Sequence, residues 1–116
     1  MRQQEKSEPL PAQLTVSANV VTDAGETWTR VSVGGEIDVA SAAAFEERIQ
    51  QLRADGGPIR LDLAEVTFMD SSGLAVLIRQ RIAASESGQV FDILSEDLPP
   101  VVARLFDVSG VNRFLA

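Results

Sequence analysis

The sequence predicts a small α/β domain with a partly parallel sheet. Segments in which apolar and polar residues alternate are typical of strands, and they are interspersed with segments whose apolar residues recur every three or four positions, as in helices. The order along the chain is strand, strand, helix, strand, helix, strand, helix. We therefore expect a mixed sheet of about four to five strands packed with about three to four helices, with right-handed crossovers.

The length and the composition fit one domain. The chain has 116 residues, of which 45% are hydrophobic and 23% charged, and these values suit a compact domain with a modest core. Residues 1–12 are polar and are interrupted by Pro9 and Pro11, so we expect a flexible leader followed by a domain at 13–116. No segment resembles a signal peptide or is long and apolar enough to span a bilayer, which favours a cytoplasmic location.

The charge and the missing residue types exclude several kinds of chemistry. Acidic residues number 17 against 10 basic ones, for a formal charge of −7, so neither nucleic acid nor an anionic membrane is an expected partner. The sequence has no cysteine and no histidine. Disulfides, thiolate or imidazole metal sites and serine–histidine catalytic pairs are thereby excluded. We predict no metal, no cofactor and no catalytic residues.

The first two strands follow the disordered leader. Alternate apolar residues place one face of the first strand at Leu14, Val16, Ala18 and Val20. A turn at Asp23–Glu26 leads to a second strand with Val31, Val33 and Ile37 on one face, and an antiparallel pairing through this turn is possible. Gly34-Gly35 within the second strand indicates a bulge or a close backbone approach.

The first helix and the third strand come next. Apolar residues at helical spacing are Phe45, Ile49 and Leu52. Ser41 is the expected N-cap, and Gly56 suits a left-handed stop. Ile59, Leu61 and Leu63 predict a third strand, followed by a short connection at 64–69.

The second helix opens at Asp70-Ser71-Ser72-Gly73 and runs to Ser87-Gly88. Its apolar residues at helical spacing are Leu74, Leu77, Ile78 and Ile82. Val90–Leu94 predicts a short strand. Pro99 and Pro100 suit the first turn of a last helix, whose apolar face holds Val102, Leu105 and Phe106. Gly110 ends this helix, and Phe114-Leu115 is expected to pack the terminus against the domain.

Asp70-Ser71-Ser72-Gly73 is the segment most informative about function. It begins a helix after a strand, where unpaired N–H groups and the positive end of the helix dipole face the carboxyl edge of the sheet. Asp and Ser are preferred caps, so capping alone explains them. Gly73 favours the close approach of another backbone, or equally tight packing inside the domain. A serine nucleophile here lacks a base, whereas an exposed hydroxyl could accept a phosphoryl group from another enzyme.

Three stretches resemble signature sequences of the STAS domain family, and more narrowly of bacterial anti-sigma factor antagonists. Val66–Leu74 resembles the central signature, Gly35–Asp38 the turn before the first helix, and Arg104–Val111 the last helix. The resemblance runs from about Leu14 to the end of the chain. It implies a STAS-like domain that binds another protein.

The resemblance also implies a mechanism. In that family the unphosphorylated protein binds an anti-sigma factor that is a serine kinase, and this binding releases a sigma factor for transcription. The kinase then phosphorylates the first serine after the signature aspartate, and a separate phosphatase reverses the modification. By this resemblance Ser71 is the phosphoacceptor, and Asp38, Asp70, Ser72 and Gly73 belong to the partner-binding surface. For Asp38 a role as a turn or cap residue is the alternative.

Val76 and Arg79 are added to that surface because helical spacing places them away from the stripe of Leu74, Leu77 and Ile78. Ordinary solvated surface is the alternative for both. We expect a monomer or a weak homodimer. The sequence leaves two other functions open. One is a STAS module in a stress-signalling assembly, and the other is a nucleotide-binding module that uses the helix N-terminus.

Overall fold

Four strands and three helices make up the described part of the protein, which in this computed structural model is residues 10–111. The elements are β1 (Leu14–Asp23), β2 (Glu26–Ile37), α1 (Ala42–Arg53), β3 (Ile59–Met69), α2 (Ser71–Glu86), β4 (Phe91–Ile93) and α3 (Pro100–Ser109). The strands form one sheet in the order β1-β2-β3-β4. The β1–β2 pair is antiparallel and the other two pairs are parallel, which confirms the predicted mixed α/β fold.

The first two strands form a hairpin with a two-residue loop. Asp23 pairs with Glu26, and the loop residues Ala24 and Gly25 have φ angles of 54° and 85°. Positive φ at both loop positions matches the twist of the flanking strands. The antiparallel pairing proposed from the turn is therefore confirmed.

Two glycines allow β2 to run beside its neighbours. The pairing with β3 shifts register between Ser32 and Gly34 and again between Gly35 and Glu36. Gly35 has a φ of 88°, and a Cβ there would lie 1.9 Å from the Gln13 carbonyl oxygen. The close approach predicted for Gly34-Gly35 is present, and register irregularities flank the pair, but the extra residues lie in β3 and not in β2.

The connection predicted at 64–69 is wrong, because these residues continue β3 to Met69. Their pattern is irregular, with Val66 and Met69 buried and Thr67 and Phe68 exposed. The cause lies in β3 itself. From Asp62 to Glu65 it advances three residues against two in β2, and from Val66 to Phe68 two against one, so β3 carries an extra residue at each shift and stays paired with β2 up to the Ile37–Met69 pair.

The N-cap of α1 is Ser41, as predicted, but the bonding of its side chain and the position of the C-cap differ from the expectation. Ser41 occupies the N-cap position, but its side chain makes no capping hydrogen bond. Its hydroxyl donates to the Glu36 carbonyl and accepts from the Asp38 amide, both at 3.0 Å, so it fastens the turn before the helix. At the other end the C-cap is Ala54, and Gly56, with a φ of 80°, lies beyond it.

The core is one cluster that draws on every strand and helix. Its largest fully buried side chains include Phe45, Ile49, Leu61, Leu77 and Phe91. The strand predicted at Val90–Leu94 is reduced to three residues, and Val90 is 49% exposed. Gly110 ends α3 with a φ of 74°, as predicted.

The predicted leader lies mostly outside the described residues. Leu10, which that prediction includes, is partly buried and packs against the core. The Pro11 carbonyl accepts from the Leu14 amide at 3.0 Å. Ordered packing therefore begins before residue 13. Phe114-Leu115, predicted to pack the terminus, lies outside the described residues.

Candidate functional site

The candidate site lies at the carboxyl edge of two neighbouring parallel strands. Ile37 and Met69 are register partners at the ends of β2 and β3, so Asp38 and Asp70 leave the sheet side by side. The Asp70 amide donates to the Ile37 carbonyl at 3.2 Å, which joins the two strand ends. The topology thus brings together two acids that are separated along the sequence.

Asp70 fixes the start of α2. It is the N-cap, with an extended backbone, and its Oδ1 accepts from the Ser72 amide at 2.8 Å. This bond satisfies one of the N–H groups that a helix start leaves unpaired. Ser71 is the first helical residue and its side chain is exposed, whereas Ser72 is half-buried. Of the two serines, Ser71 is the more accessible to another protein.

Asp38 has a capping role in the loop before α1. Its Oδ1 accepts from the amides of Ala40 and Ser41, at 3.0 and 3.2 Å. Asp38 therefore acts as a turn residue, which was the alternative to contact with a partner. The carboxylate remains half-buried rather than enclosed, so this bonding leaves it at the same surface as Asp70.

Packing inside the domain accounts for Gly73. The residue is buried, and a Cβ there would lie 2.7 Å from Ile37 Cγ2 and 2.9 Å from Met69 Cγ. The absence of a side chain lets the first turn of α2 sit directly on the ends of β2 and β3. Of the two explanations considered for Gly73, tight internal packing is the one that the contacts support.

The prediction that Val76 faces a partner is wrong, because its side chain is fully buried at 0% exposure. The physical reason is that α2 packs against both the sheet and α1, so its buried arc is wider than one apolar stripe. Ile82, which was also at helical spacing with the apolar residues, is 42% exposed. Arg79 does lie at the surface, with 58% of its side chain exposed.

Arg79 is bound to α1. Its guanidinium donates to both carboxylate oxygens of Glu46, with Nη2 to Oε1 at 2.7 Å and Nε to Oε2 at 3.0 Å. The side-chain amide of Gln80 donates to the same carboxylate at 2.9 Å. Hydrogen bonding from Arg79 lowers the pKa of Glu46, an effect that outweighs the raising by partial burial. This network has no signal in the sequence, because the two helices meet only in the fold.

Two exposed apolar residues near the acids were also missed. Val39 follows Asp38 and is 81% exposed, and Phe68 precedes the end of β3 and is 43% exposed. Their signal in the sequence was weak, because Val39 stands in a loop and Phe68 in a segment assigned to a connection. They add apolar surface beside the carboxylates of Asp38 and Asp70.

Other kinds of site have little support at this edge. Within residues 10–111, no group of three or more acidic side chains is arranged to hold a metal ion. A cavity of about 350 Å³ is lined by Gln50, Arg53, Ala54, Gly56, Ser87 and Gln89. These residues precede β3 and β4, so the cavity lies at the amino ends of the parallel strands, whereas Ser71 follows the carboxyl end of β3. Among the helices of the described residues, none is long and apolar enough to cross a bilayer.

Comparisons with known proteins agree with this geometry. A family model described as "Mlab, STAS domain" matches residues 20–116. The anti-sigma-B factor antagonist of Bacillus subtilis is 32% identical over 100 residues, covering 86% of this chain and 90% of the relative. That of Staphylococcus aureus is 30% identical over 101 residues, covering 86% and 92%.

Solved structures give the same fold. An anti-sigma factor antagonist from Mycobacterium paratuberculosis superposes with a TM-score of 0.65 at 26% identity, over 92% of this chain and 87% of the other. The antagonist SpoIIAA in its unphosphorylated form gives 0.63 at 17% identity, over 86% of each chain. The latter identity is too low to support more than the fold. With its mixed sheet, its signature at the start of α2 and these relatives, the chain belongs to the STAS domain family.

Proposed function

We propose that this protein is an anti-sigma factor antagonist that is switched by phosphorylation of Ser71. In its unphosphorylated form it binds an anti-sigma factor that is also a serine kinase, and a sigma factor is released for transcription. Phosphorylation by that kinase ends the complex, and a phosphatase restores the binding form. The names of the relatives support the antagonist role.

The observation that carries the proposal is the position of Ser71. Its exposed hydroxyl stands at the first turn of α2, next to Asp70 and at the same edge as Asp38. A kinase can reach this hydroxyl without unfolding the helix. The surrounding surface combines carboxylates with the exposed side chains of Val39 and Phe68, a mixture suited to a protein partner.

A phosphate on Ser71 would change the charge of this surface strongly. It adds about −1.5 to −2 at neutral pH. The dipole of α2 would favour it by roughly 0.3–1 kcal/mol. Asp70 opposes it: two unit charges about 4 Å apart interact by about 4 kcal/mol at an effective dielectric near 20, before salt screening. In a docked interface, where water is excluded, the repulsion outweighs the dipole, so the phosphate acts mainly against the bound partner.

In this proposal the protein is a substrate and a ligand, not an enzyme. Asp70 and Asp38 are occupied in capping their own turns, and neither is placed as a base on the Ser71 hydroxyl by any hydrogen bond among residues 10–111. We place the protein in the cytoplasm, where the transcription machinery is found, and we propose that its domain begins by Leu10, which packs against the core.

The test is a binding and phosphorylation assay with the purified anti-sigma factor kinase of the same cell. Ser71→Ala should bind the kinase as the wild type does and stay bound when ATP is added. Ser71→Glu should bind at least about tenfold more weakly, because it places a negative charge at the helix start.

Ser72→Ala is the matched control, since it removes the neighbouring hydroxyl and keeps the backbone that Asp70 caps. It should be phosphorylated at the wild-type rate. Phosphorylation of Ser71→Ala at the wild-type rate would show that the acceptor lies elsewhere. Failure of the unphosphorylated wild type to bind any anti-sigma factor would refute the antagonist role itself.

A further inference from the structure

The outer side of β1 carries main-chain groups that no strand within residues 10–111 pairs with. The Gln13 carbonyl accepts from the Glu36 amide at 2.8 Å, which fixes the direction of the ladder. Main-chain groups alternate in direction along a strand, and the β1–β2 register has no break. The N–H and C=O groups that point away from the sheet therefore belong to Val16, Ala18, Val20 and Thr22.

This edge lacks the features that usually protect an edge strand. Folded proteins discourage strand addition with short edges, prolines, bulges or charges, especially lysine. β1 has 10 residues in unbroken register. It contains no proline, and its only charged residue is the last, Asp23.

The opposite edge of the same sheet is protected. β4 has only three residues. The Arg81 guanidinium, reaching from α2, donates to the Phe91 carbonyl and forms an ion pair with Asp92 at 3.2 Å. A main-chain acceptor of β4 is thereby occupied and a charge stands beside it. Because the fold protects its β4 edge, the contrast indicates that the β1 edge is available for pairing with another strand.

Apolar side chains accompany the open edge. In the register, Ala18 lies opposite Val31 and Val20 opposite Thr29, so both project on the face that holds the core. Val31 is 0% exposed, but Val20 is 72% exposed. A strand added at this edge would cover Val20 from the side.

The lack of charge along β1 makes a second copy of this chain a suitable occupant. The protein carries a formal charge of −7, so two copies repel each other over most of their surface. The stretch from Leu14 to Thr22 has no charged residue, so two copies can meet there without like charges facing each other. An antiparallel pair of identical strands is self-complementary about a two-fold axis, and it brings Ala18 and Val20 of both copies together.

We propose that two copies of this protein associate edge to edge through antiparallel β1 strands, forming one continuous sheet across the dimer. Val20 lies opposite Thr29, near the start of β2, whereas Ser71 follows the far ends of β2 and β3. Both Ser71 sites therefore remain open in the dimer. The inference rests on the edge alone and does not depend on the proposed function.

The test is sedimentation velocity of the full chain over about a hundredfold range of concentration, together with amide hydrogen exchange. The wild type should show a reversible monomer–dimer equilibrium, and the amides of Val16, Ala18 and Val20 should exchange more slowly as concentration rises. Val20→Lys should weaken the dimer by about tenfold, because it places like charges beside the two-fold axis.

Val108→Lys is the matched control. Val108 lies on α3 and is 77% exposed, so the substitution makes the same change of charge at an equally open position. It should leave the dimer unchanged. A wild type that stays monomeric throughout, equal weakening by both variants, or β1 amides that are protected equally at every concentration would each overturn the proposal. The last result would mean that a segment of the same chain covers the edge.

Discussion

Gly73 shows how a single residue couples the candidate site to the core. The Ile37 methyl group that its Cβ would meet at 2.7 Å is attached to a branched Cβ, which would itself lie 3.2 Å away, so relief requires a less favourable χ1 rotamer or a shift of the strand. Gly73→Ala should therefore lower the free energy of unfolding by about 1–2 kcal/mol, since overpacking outweighs the gain in helix propensity. Urea denaturation measures the difference.

The control for this substitution is Gly57→Ala. Gly57 lacks a positive φ, and a Cβ there would meet only Asp55 Oδ1, at an ordinary 3.5 Å. Its change in stability should stay within about 0.5 kcal/mol of zero. If Gly73→Ala were as stable as this control, the packing explanation for Gly73 would fail, and the close approach of a partner would regain support.

Among the elements, the β1–β2 hairpin holds a residue that is poorly suited to its place. Ala24 has a φ of 54°, a conformation that alanine adopts at a cost and that asparagine tolerates well. Ala24→Asn should raise the free energy of unfolding by about 0.5–1 kcal/mol. The exposed Ala54, with a φ of −61°, offers a comparison, because Ala54→Asn should bring no gain. Equal effects of the two variants in thermal denaturation would contradict the assignment to turn geometry.

The contact between α1 and α2 should make stability depend on acid. Glu46 has 19% of its side chain exposed, and its pKa is lowered in the folded state from an ordinary value of 4.5. A lowered pKa contributes stability that is present above the unfolded value and is lost as pH falls through the folded value. Glu46→Gln should therefore cost about 1 kcal/mol near pH 6, and the difference from the wild type should shrink toward pH 3.

Glu47→Gln is the control for this pH dependence, because it removes the same charge from the next residue of α1, which is exposed. It should change stability little at either pH. A Glu46→Gln difference that stayed constant as the pH was lowered would mean that packing, and not the charged hydrogen bonds with Arg79, holds the two helices together.

The elements also show which parts of the fold the sequence could predict. The spacing of the apolar residues and the turn residues were enough to predict the order of strands and helices, because those signals are local. The strand through Val66 and Met69 escaped prediction because its alternation is broken by extra residues in β3 itself, at the two places where its pairing with β2 changes register. Val76 was misplaced because helical spacing shows one apolar stripe, whereas α2 packs against two partners. The convergence of Asp38 and Asp70 was expected only through the family resemblance.

At the scale of the whole molecule, the core is continuous and should unfold as a unit. One buried cluster links all four strands and three helices of the described residues. A cooperative transition is the usual behaviour of a single core of this size. The protein offers two independent reporters of it, because its one tryptophan lies in the sheet and the far-ultraviolet signal comes mainly from the helices.

Trp28 alternates with the core residues of β2, so it lies on the other face of the sheet, where the guanidinium carbon of Arg60 is 4.6 Å from its ring centroid. Its fluorescence reports this face, and circular dichroism at 222 nm reports the helical layer. In urea the two curves should superimpose, with a common midpoint and a slope of about 1–3 kcal/mol per molar. Separate midpoints would show that the sheet and the helices unfold in steps. In that case α2 could loosen at the candidate site while the hairpin, with its open β1 edge, stayed folded.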